Sequence, residues 1–166
     1  TEAGRALQDF SEELSNWYVR RCRDRFWGAD MSEDKIAAYR TLYTCLKDLA
    51  LLSAPFLPFM SEMIYQNIVR SVDKDAPKSV HMADFPVCDE ARVDKTLEAD
   101  MARVLDIVTL GRAARSHAAV KTRQPLSRLY VQDLPLAPRY AAIIAEELNV
   151  KECTFMEDAT ELMRYE

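Results

Sequence analysis

The sequence has 166 residues, of which 49% are hydrophobic and 30% are charged. This composition is typical of a folded globular domain and excludes a disordered or fibrous chain. The formal net charge of −5 excludes a protein that is basic throughout, so any nucleic-acid surface must rest on locally concentrated charge. No stretch approaches the roughly 18 apolar residues that span a bilayer, and we therefore expect no membrane partner.

Hydrophobic periodicity predicts about four helices in the first 125 residues, and the presence of only three glycines favours long helices. The first is expected over 5–27, ending at Gly28, and the second is expected to begin after an N-cap at Ser32. We expect Pro55 and Pro58 to end or kink that second helix. A third helix is expected over 58–72, and a fourth begins near Asp89. The expected inward residues of the last three are Ile36, Tyr39, Tyr43, Leu46, Leu49, Ala50, Met60, Ile64, Ile68, Val69, Val93, Leu97, Met101, Val104, Leu105 and Val108.

The pattern changes at Pro125. The next stretch, 126–132, alternates as a strand does, a short helix follows over 137–148, and 150–156 alternates again. Between the third and fourth helices, Ser79 to Met82 is expected to be locally extended. The fold class is thus mainly α, with a helical bundle over 1–125 followed by a small partial α/β module over 126–166. Because the sequence stops at Glu166 without a turn or tail, we expect a piece of a longer protein.

Basic charge is concentrated in two stretches. Four arginines lie between Arg20 and Arg25, flanked by aromatic residues, and the run 107–132 carries five basic residues and no acidic one. Arginine can grip phosphate bidentately, and exposed aromatic rings can stack on unpaired bases. The pattern predicts a surface that binds structured RNA. Trp17 and Tyr18 fall on an apolar stripe and are expected to pack inside, whereas Trp27 is a candidate for stacking.

Other kinds of site find no support in the sequence. The cysteines at 22, 45, 88 and 153 are scattered without a C-x-x-C pair, which disfavours zinc and is typical of a reducing cytoplasm. His81 and His117 lack partners at a metal-ligand spacing, so we expect both to be structural or surface residues. The sequence contains no phosphate-binding loop, nucleophile elbow or zinc-protease motif. We therefore expect neither a catalytic centre nor a metal site.

The stretch from Asn16 to Trp27, NWYVRRCRDRFW, resembles the helix signature of the anticodon-binding domain of isoleucyl-tRNA synthetases. The central helical hairpin of that domain and the connection beyond it are resembled by residues 51–65 and 79–86. Its long helix and the following loop are resembled by residues 111–115 and 120–126. The small module that comes next is resembled by residues 147–152. Cys22 departs from the pattern, since serine is more usual there. Valyl and leucyl enzymes share the first motif in looser form, but the K-x-R-Q-P-L sequence favours isoleucyl.

The resemblance implies a parent enzyme that charges isoleucine tRNA using ATP and magnesium, with its H-I-G-H and K-M-S-K-S motifs in an upstream catalytic domain. Neither motif occurs here, so this piece is expected to be inactive alone and to need no cofactor. Its expected role is to hold the anticodon stem and loop. The alternatives are the same domain of a valyl or leucyl enzyme, or a helical module that docks onto protein. The residues expected to contact tRNA are Arg20, Arg23, Arg112, Arg115, Lys121 and Arg123 on phosphates and Trp27 on a base.

Overall fold

The computed structural model describes residues 2–132 and 136–158 and divides the chain into two compact units, 1–88 and 89–166. The acidic end of the predicted module, from residue 159, lies outside the described residues, as do 133–135. No helix in the part that the structure describes combines the length and apolar character needed to cross a bilayer.

The first unit opens with the helix predicted over 5–27, which is confirmed but is not uniform. Helix α1 covers Glu2–Glu13 and continues in a π-helical segment, Leu14–Val19. Cys22 leaves the helical region, with φ −85° and ψ 5°, and helix α2 follows at Arg23–Trp27. Gly28 ends α2 as predicted, its amide donating to the carbonyl oxygen of Asp24 at 3.0 Å.

A helical hairpin completes the first unit. Helix α3 covers Glu33–Ser53, and its predicted cap is confirmed, since Ser32 Oγ accepts a hydrogen bond from the Lys35 amide at 3.2 Å. Helix α4 covers Pro58–Tyr65 and continues as a second π-helical segment, Gln66–Arg70. The prolines therefore mark the turn between two helices, because proline fits the first turn of a helix but not its interior.

The core of this unit lies inside the hairpin and under the connection that follows it. The residues that form it are Leu51, Ala54, Tyr65, Val69 and Val80. Tyr65 is 1% exposed, and its hydroxyl donates to the carbonyl oxygen of Pro77 at 3.0 Å, which fastens the connection to α4. The expected extension of Ser79 to Met82 is wrong beyond Ser79, because Val80–Met82 forms a 3-10 turn capped by Ser79 Oγ.

Three residues of the first unit that were expected to face inward are exposed instead. Tyr39 on α3 is 43% exposed, Tyr43 is 38% exposed, and Met60 on α4 is 54% exposed. On α3 the small Ala38 and the stem of Lys35 are buried. Periodicity gives the direction of an apolar face, but whether a neighbour covers that face depends on tertiary packing.

The second unit begins with the long helix α5, Lys95–His117. It starts at Lys95 rather than near Asp89, because Asp94 Oδ1 caps it by accepting from the amides of Thr96 and Leu97. A 3-10 turn, Glu90–Arg92, precedes it. Val104 and Val108 are buried as predicted, whereas Val93 and Leu97 near its start are exposed.

The predicted strand–helix–strand module is confirmed in the same unit. Strand β1 covers Leu126–Gln132, helix α6 covers Pro138–Glu147, and strand β2 covers Val150–Met156. The strands pair in parallel, with Leu126 opposite Val150. Helix α6 packs against both α5 and β2, and Ile144 and Leu148 are 0% and 1% exposed. Division of the chain at residue 125 remains a proposal.

Candidate nucleic-acid interface

Trp27 and Arg23 form an exposed pair on α2. The Trp27 side chain is 78% exposed, and the guanidinium carbon of Arg23 lies 5.4 Å from its ring centroid. A cation over an aromatic face is attracted by the ring quadrupole. The pair therefore presents a flat ring and a positive charge to solvent together.

Arg20 lies one turn earlier and is also exposed. Its Nε donates to the carbonyl oxygen of Asn16 at 2.9 Å, and its guanidinium carbon lies 5.8 Å from the ring centroid of Trp17. Arg21 approaches the same ring to 5.5 Å. Trp17 is thus half-buried beneath two arginines rather than enclosed in the core.

Arg25 completes the arginine cluster, which consists of Arg20, Arg21, Arg23 and Arg25, and it has a structural role. Its guanidinium binds both carboxylate oxygens of Asp34 at 2.7 Å, and the hydrogen bond to this carboxylate raises the pKa of Arg25. Nη1 also reaches the buried sulfur of Cys22 at 3.4 Å. Arg25 thereby fastens α2 to the start of α3. The arginines of the cluster therefore differ in role, since Arg20 and Arg23 are exposed whereas Arg25 holds two helices together.

Arg112 on α5 forms an ion pair within the second unit. Its Nη2 lies 2.6 Å from Glu147 Oε2; the Arg112 side chain is 49% exposed and that of Glu147 only 3%. The pair links α5 to the end of α6. Half of the Arg112 side chain remains accessible, although a buried carboxylate already compensates its charge.

Arg115 differs from the other predicted contact residues because it is 6% exposed. Its Nη1 donates to the carbonyl oxygen of Lys121 at 3.1 Å, and its Nη2 donates to the carbonyl oxygens of Gln124 at 3.0 Å and Asn149 at 3.1 Å. The guanidinium is directed at the protein backbone. The expected phosphate contact of Arg115 finds no support in this placement.

Lys121 and Arg123 lie on the loop between α5 and β1 and are both exposed. Within 2–132 and 136–158, neither side chain has a hydrogen-bond or ion-pair partner. The side-chain amide of Asn149 donates to the carbonyl oxygen of Thr122 between them, at 3.1 Å. The residue after a helix is often an Asn with positive φ, but nothing in the sequence signals that Asn149 supports a loop 27 residues earlier.

The predicted contact residues therefore fall into two groups. Arg20, Arg23 and Trp27 are presented by the first unit, and Arg112, Lys121 and Arg123 by the second. Among the described residues, no three histidine, cysteine or acidic side chains lie close enough together to hold a metal ion. Each group by itself presents exposed cations of the kind that contact nucleic-acid phosphates.

A family model described as "Anticodon-binding domain of tRNA ligase" matches residues 1–130. Curated relatives over nearly the whole chain are named isoleucine–tRNA ligase. That of Clostridium novyi is 49% identical over 100% of this chain, and that of Thermus thermophilus is 49% identical over 99%. That of Bacteroides fragilis is 41% identical over 96%.

The chain spans only 16% of the length of the first two of these relatives and 14% of the third. The family match covers most of the chain and includes the arginine cluster, helix α5 and the loop between α5 and β1. The chain therefore belongs to the family of anticodon-binding domains of tRNA ligases.

Proposed function

We propose that this chain binds the anticodon stem and loop of an isoleucine tRNA. The observation that carries the proposal is the exposed pair Lys121 and Arg123, which stands on an acid-free loop of an anticodon-binding domain without acidic partners in the described residues. Unpaired surface cations gain counterion-release free energy when they meet RNA phosphates. Arg20, Arg23 and Arg112 supply further phosphate contacts.

Trp27 is the proposed stacking residue. An exposed ring that already lies beside the guanidinium of Arg23 can receive an unpaired base while the cation remains near the backbone phosphates. Arg115 is assigned a supporting position instead of a phosphate contact, because its donors are directed at three backbone carbonyls.

We further propose that the parent protein is an isoleucine–tRNA ligase, as the names of the relatives suggest. Its proposed compartment is the cytoplasm, because the scattered cysteines are typical of a reducing environment. ATP and magnesium belong to its catalytic domain, since the H-I-G-H and K-M-S-K-S motifs do not occur in this sequence. This chain then acts by holding the tRNA while the catalytic domain charges it.

The test is to titrate the 166-residue chain with an isoleucine tRNA transcript over a series of salt concentrations. Replacing Lys121 and Arg123 together by Ala is expected to flatten the slope of log affinity against log salt by about 1.4–1.8, the contribution of two phosphate contacts. The matched control is Arg92→Ala with Lys95→Ala, which removes the same charge from exposed residues paired with Asp89 and Glu98. An unchanged slope in the Lys121 and Arg123 variant would overturn the assignment of the loop. A tRNA for valine or leucine, titrated in parallel, tests the choice of isoleucine.

A second candidate function is docking onto protein, and it is favoured by exposed apolar side chains around the turn into α4. Phe59 is 89% exposed, Leu57 is 59% exposed, and Phe56 is 52% exposed. Retention on heparin or immobilised tRNA at low salt supports the RNA function. Failure to be retained, together with self-association that rises with concentration, would favour docking.

A further inference from the structure

The basic loop, residues 119–125, is held at three of its carbonyl oxygens by two residues outside it. Arg115 donates to the carbonyls of Lys121 and Gln124, and Asn149 donates to that of Thr122. The two holding residues are themselves joined, because Arg115 Nη2 donates to the Asn149 carbonyl oxygen. Lys121 and Arg123 therefore stand on a braced backbone.

Both ends of the loop are also fixed. At its start, Ala119 has φ 53°, and the amide of Val120 donates to the carbonyl oxygen of Arg115 at 2.9 Å, as in a Schellman helix end. At its end, the amide of Leu126 donates to the carbonyl oxygen of Asn149 at 3.1 Å. Arg115 and Asn149 thus contact the loop at its entrance, middle and exit.

The bracing also orients the amide groups of the loop. The N–H of a trans peptide points opposite to its carbonyl, and the chain has no cis peptide among its described residues. Because the carbonyls of Lys121 and Thr122 point at Arg115 and Asn149, the N–H groups of Thr122 and Arg123 point the other way. Neither N–H group has a hydrogen-bond partner among the described residues, and successive unpaired backbone N–H groups favour an anion.

We propose that Arg115 and Asn149 are positioning residues for a phosphate-binding loop, in which Lys121, Arg123 and the amides of Thr122 and Arg123 bind an RNA backbone phosphate. This inference rests on the proposed function, since it names how the loop engages the RNA. Neither positioning residue touches the RNA. Each acts by holding the loop in the conformation that lets both cations bind at once, which lowers the ordering cost of binding.

The test is a mutant cycle between Asn149→Gly and the Lys121→Ala with Arg123→Ala variant. Glycine accepts the positive φ of 49° at this position, so the substitution removes the Thr122 contact and keeps the backbone path. Asn149→Gly is expected to weaken binding of an isoleucine tRNA transcript by about 3- to 10-fold at low salt and to flatten the salt slope. In the background that lacks both cations, the same change should weaken binding less than about twofold.

Arg115→Lys provides a second variant that keeps the charge but lacks the planar fork needed to reach separate carbonyls. It should show the same coupling to Lys121 and Arg123, and thermal unfolding of every variant sets a temperature at which all are folded. Equal losses in the two backgrounds, or no loss in either, would overturn the positioning role while leaving tRNA binding intact. Failure of the wild-type chain to bind tRNA would instead overturn the proposed function and this inference with it.

Discussion

The carboxylate of Glu62 on α4 accepts a hydrogen bond from the backbone amide of Val80 at 2.8 Å. The same oxygen accepts from Ser79 Oγ at 2.9 Å, and the other oxygen accepts from Gln66 Nε2 at 2.8 Å. The hairpin is thereby fastened to the connection that carries the buried Val80. One ionised side chain thus links two positions that are 18 residues apart in the sequence.

Replacing Glu62 by Gln is expected to lower the free energy of unfolding at pH 7 by about 1–2 kcal/mol, because the three hydrogen bonds to the carboxylate lose their charge assistance. Burial alone would raise the pKa of Glu62, but the hydrogen bonds from Val80, Gln66 and Ser79 outweigh it and lower the pKa below its usual value. The stabilisation is therefore fully present above the unfolded pKa of about 4.3 and is lost as the pH falls through the lower folded pKa. Urea denaturation at a series of pH values measures it.

The control for this prediction is Glu98→Gln, which removes an exposed carboxylate paired with Lys95. Its effect at pH 7 should stay within about 0.5 kcal/mol. A difference between wild type and Glu62→Gln that is the same at pH 7 and at acid pH would contradict the role of ionised Glu62.

Replacing Gly111 by Ala is expected to destabilise the chain by about 1–3 kcal/mol, as overpacking of a core does. A Cβ at this position would lie 2.3 Å from Cδ1 and 2.9 Å from Cδ2 of Leu148, which is 1% exposed and has little room to move. Gly4→Ala is the matched control, since its Cβ would meet only Phe56, at 3.9 Å. It should leave stability unchanged or raise it by up to about 1 kcal/mol. Equal thermal unfolding of the two variants would refute the close packing of α5 against Leu148.

Replacing Ala119 by Gly is expected to raise the free energy of unfolding by about 0.5–1 kcal/mol. Ala119 has φ 53°, a left-handed conformation that costs an alanine more than a glycine. The neighbouring Ala118→Gly, at φ −79°, should lower stability instead. Chemical denaturation of both variants checks the sign, and a loss of stability in Ala119→Gly comparable to that in Ala118→Gly would contradict the prediction.

Replacing Trp27 by Ala is expected to weaken tRNA binding by about 1–3 kcal/mol if a base stacks there, with the salt slope unchanged because no charge is removed. Trp27 is 78% exposed, so the unfolding free energy should change by less than about 0.5 kcal/mol. Phe59→Ala removes another exposed ring that lies outside the arginine cluster and should bind as wild type does. Affinity equal to wild type in the Trp27 variant would remove Trp27 from the interface.

The helices and strands of this chain could be predicted from sequence because their signals are local. Ser32 caps α3 through its own hydroxyl, and the alternation around Leu129 gives β1. The exposed faces could not be predicted in the same way. Tyr39 repeats at the spacing of a buried residue, yet its ring is only partly covered by Phe26, 5.0 Å away between centroids.

The residues of the candidate site could likewise be predicted only in part from the sequence. Counting charges located both basic stretches but did not distinguish Arg115 from Lys121, although one is buried and the other exposed. The difference depends on the carbonyl of Asn149, 34 residues from Arg115 in sequence. Residues that touch a ligand could be recognised by type, whereas those that hold them in place are defined by long-range contacts.

The contact between Asn149 and Thr122 has a consequence for any transfer of this surface to another protein. The family match ends at residue 130, so a graft cut at that boundary would carry Lys121 and Arg123 but leave behind the side chain that braces them. During synthesis on the ribosome, Lys121 and Arg123 likewise leave the exit tunnel before Asn149 has joined the folded domain. The smallest portable form of the basic loop therefore extends at least to Asn149, the residue before β2.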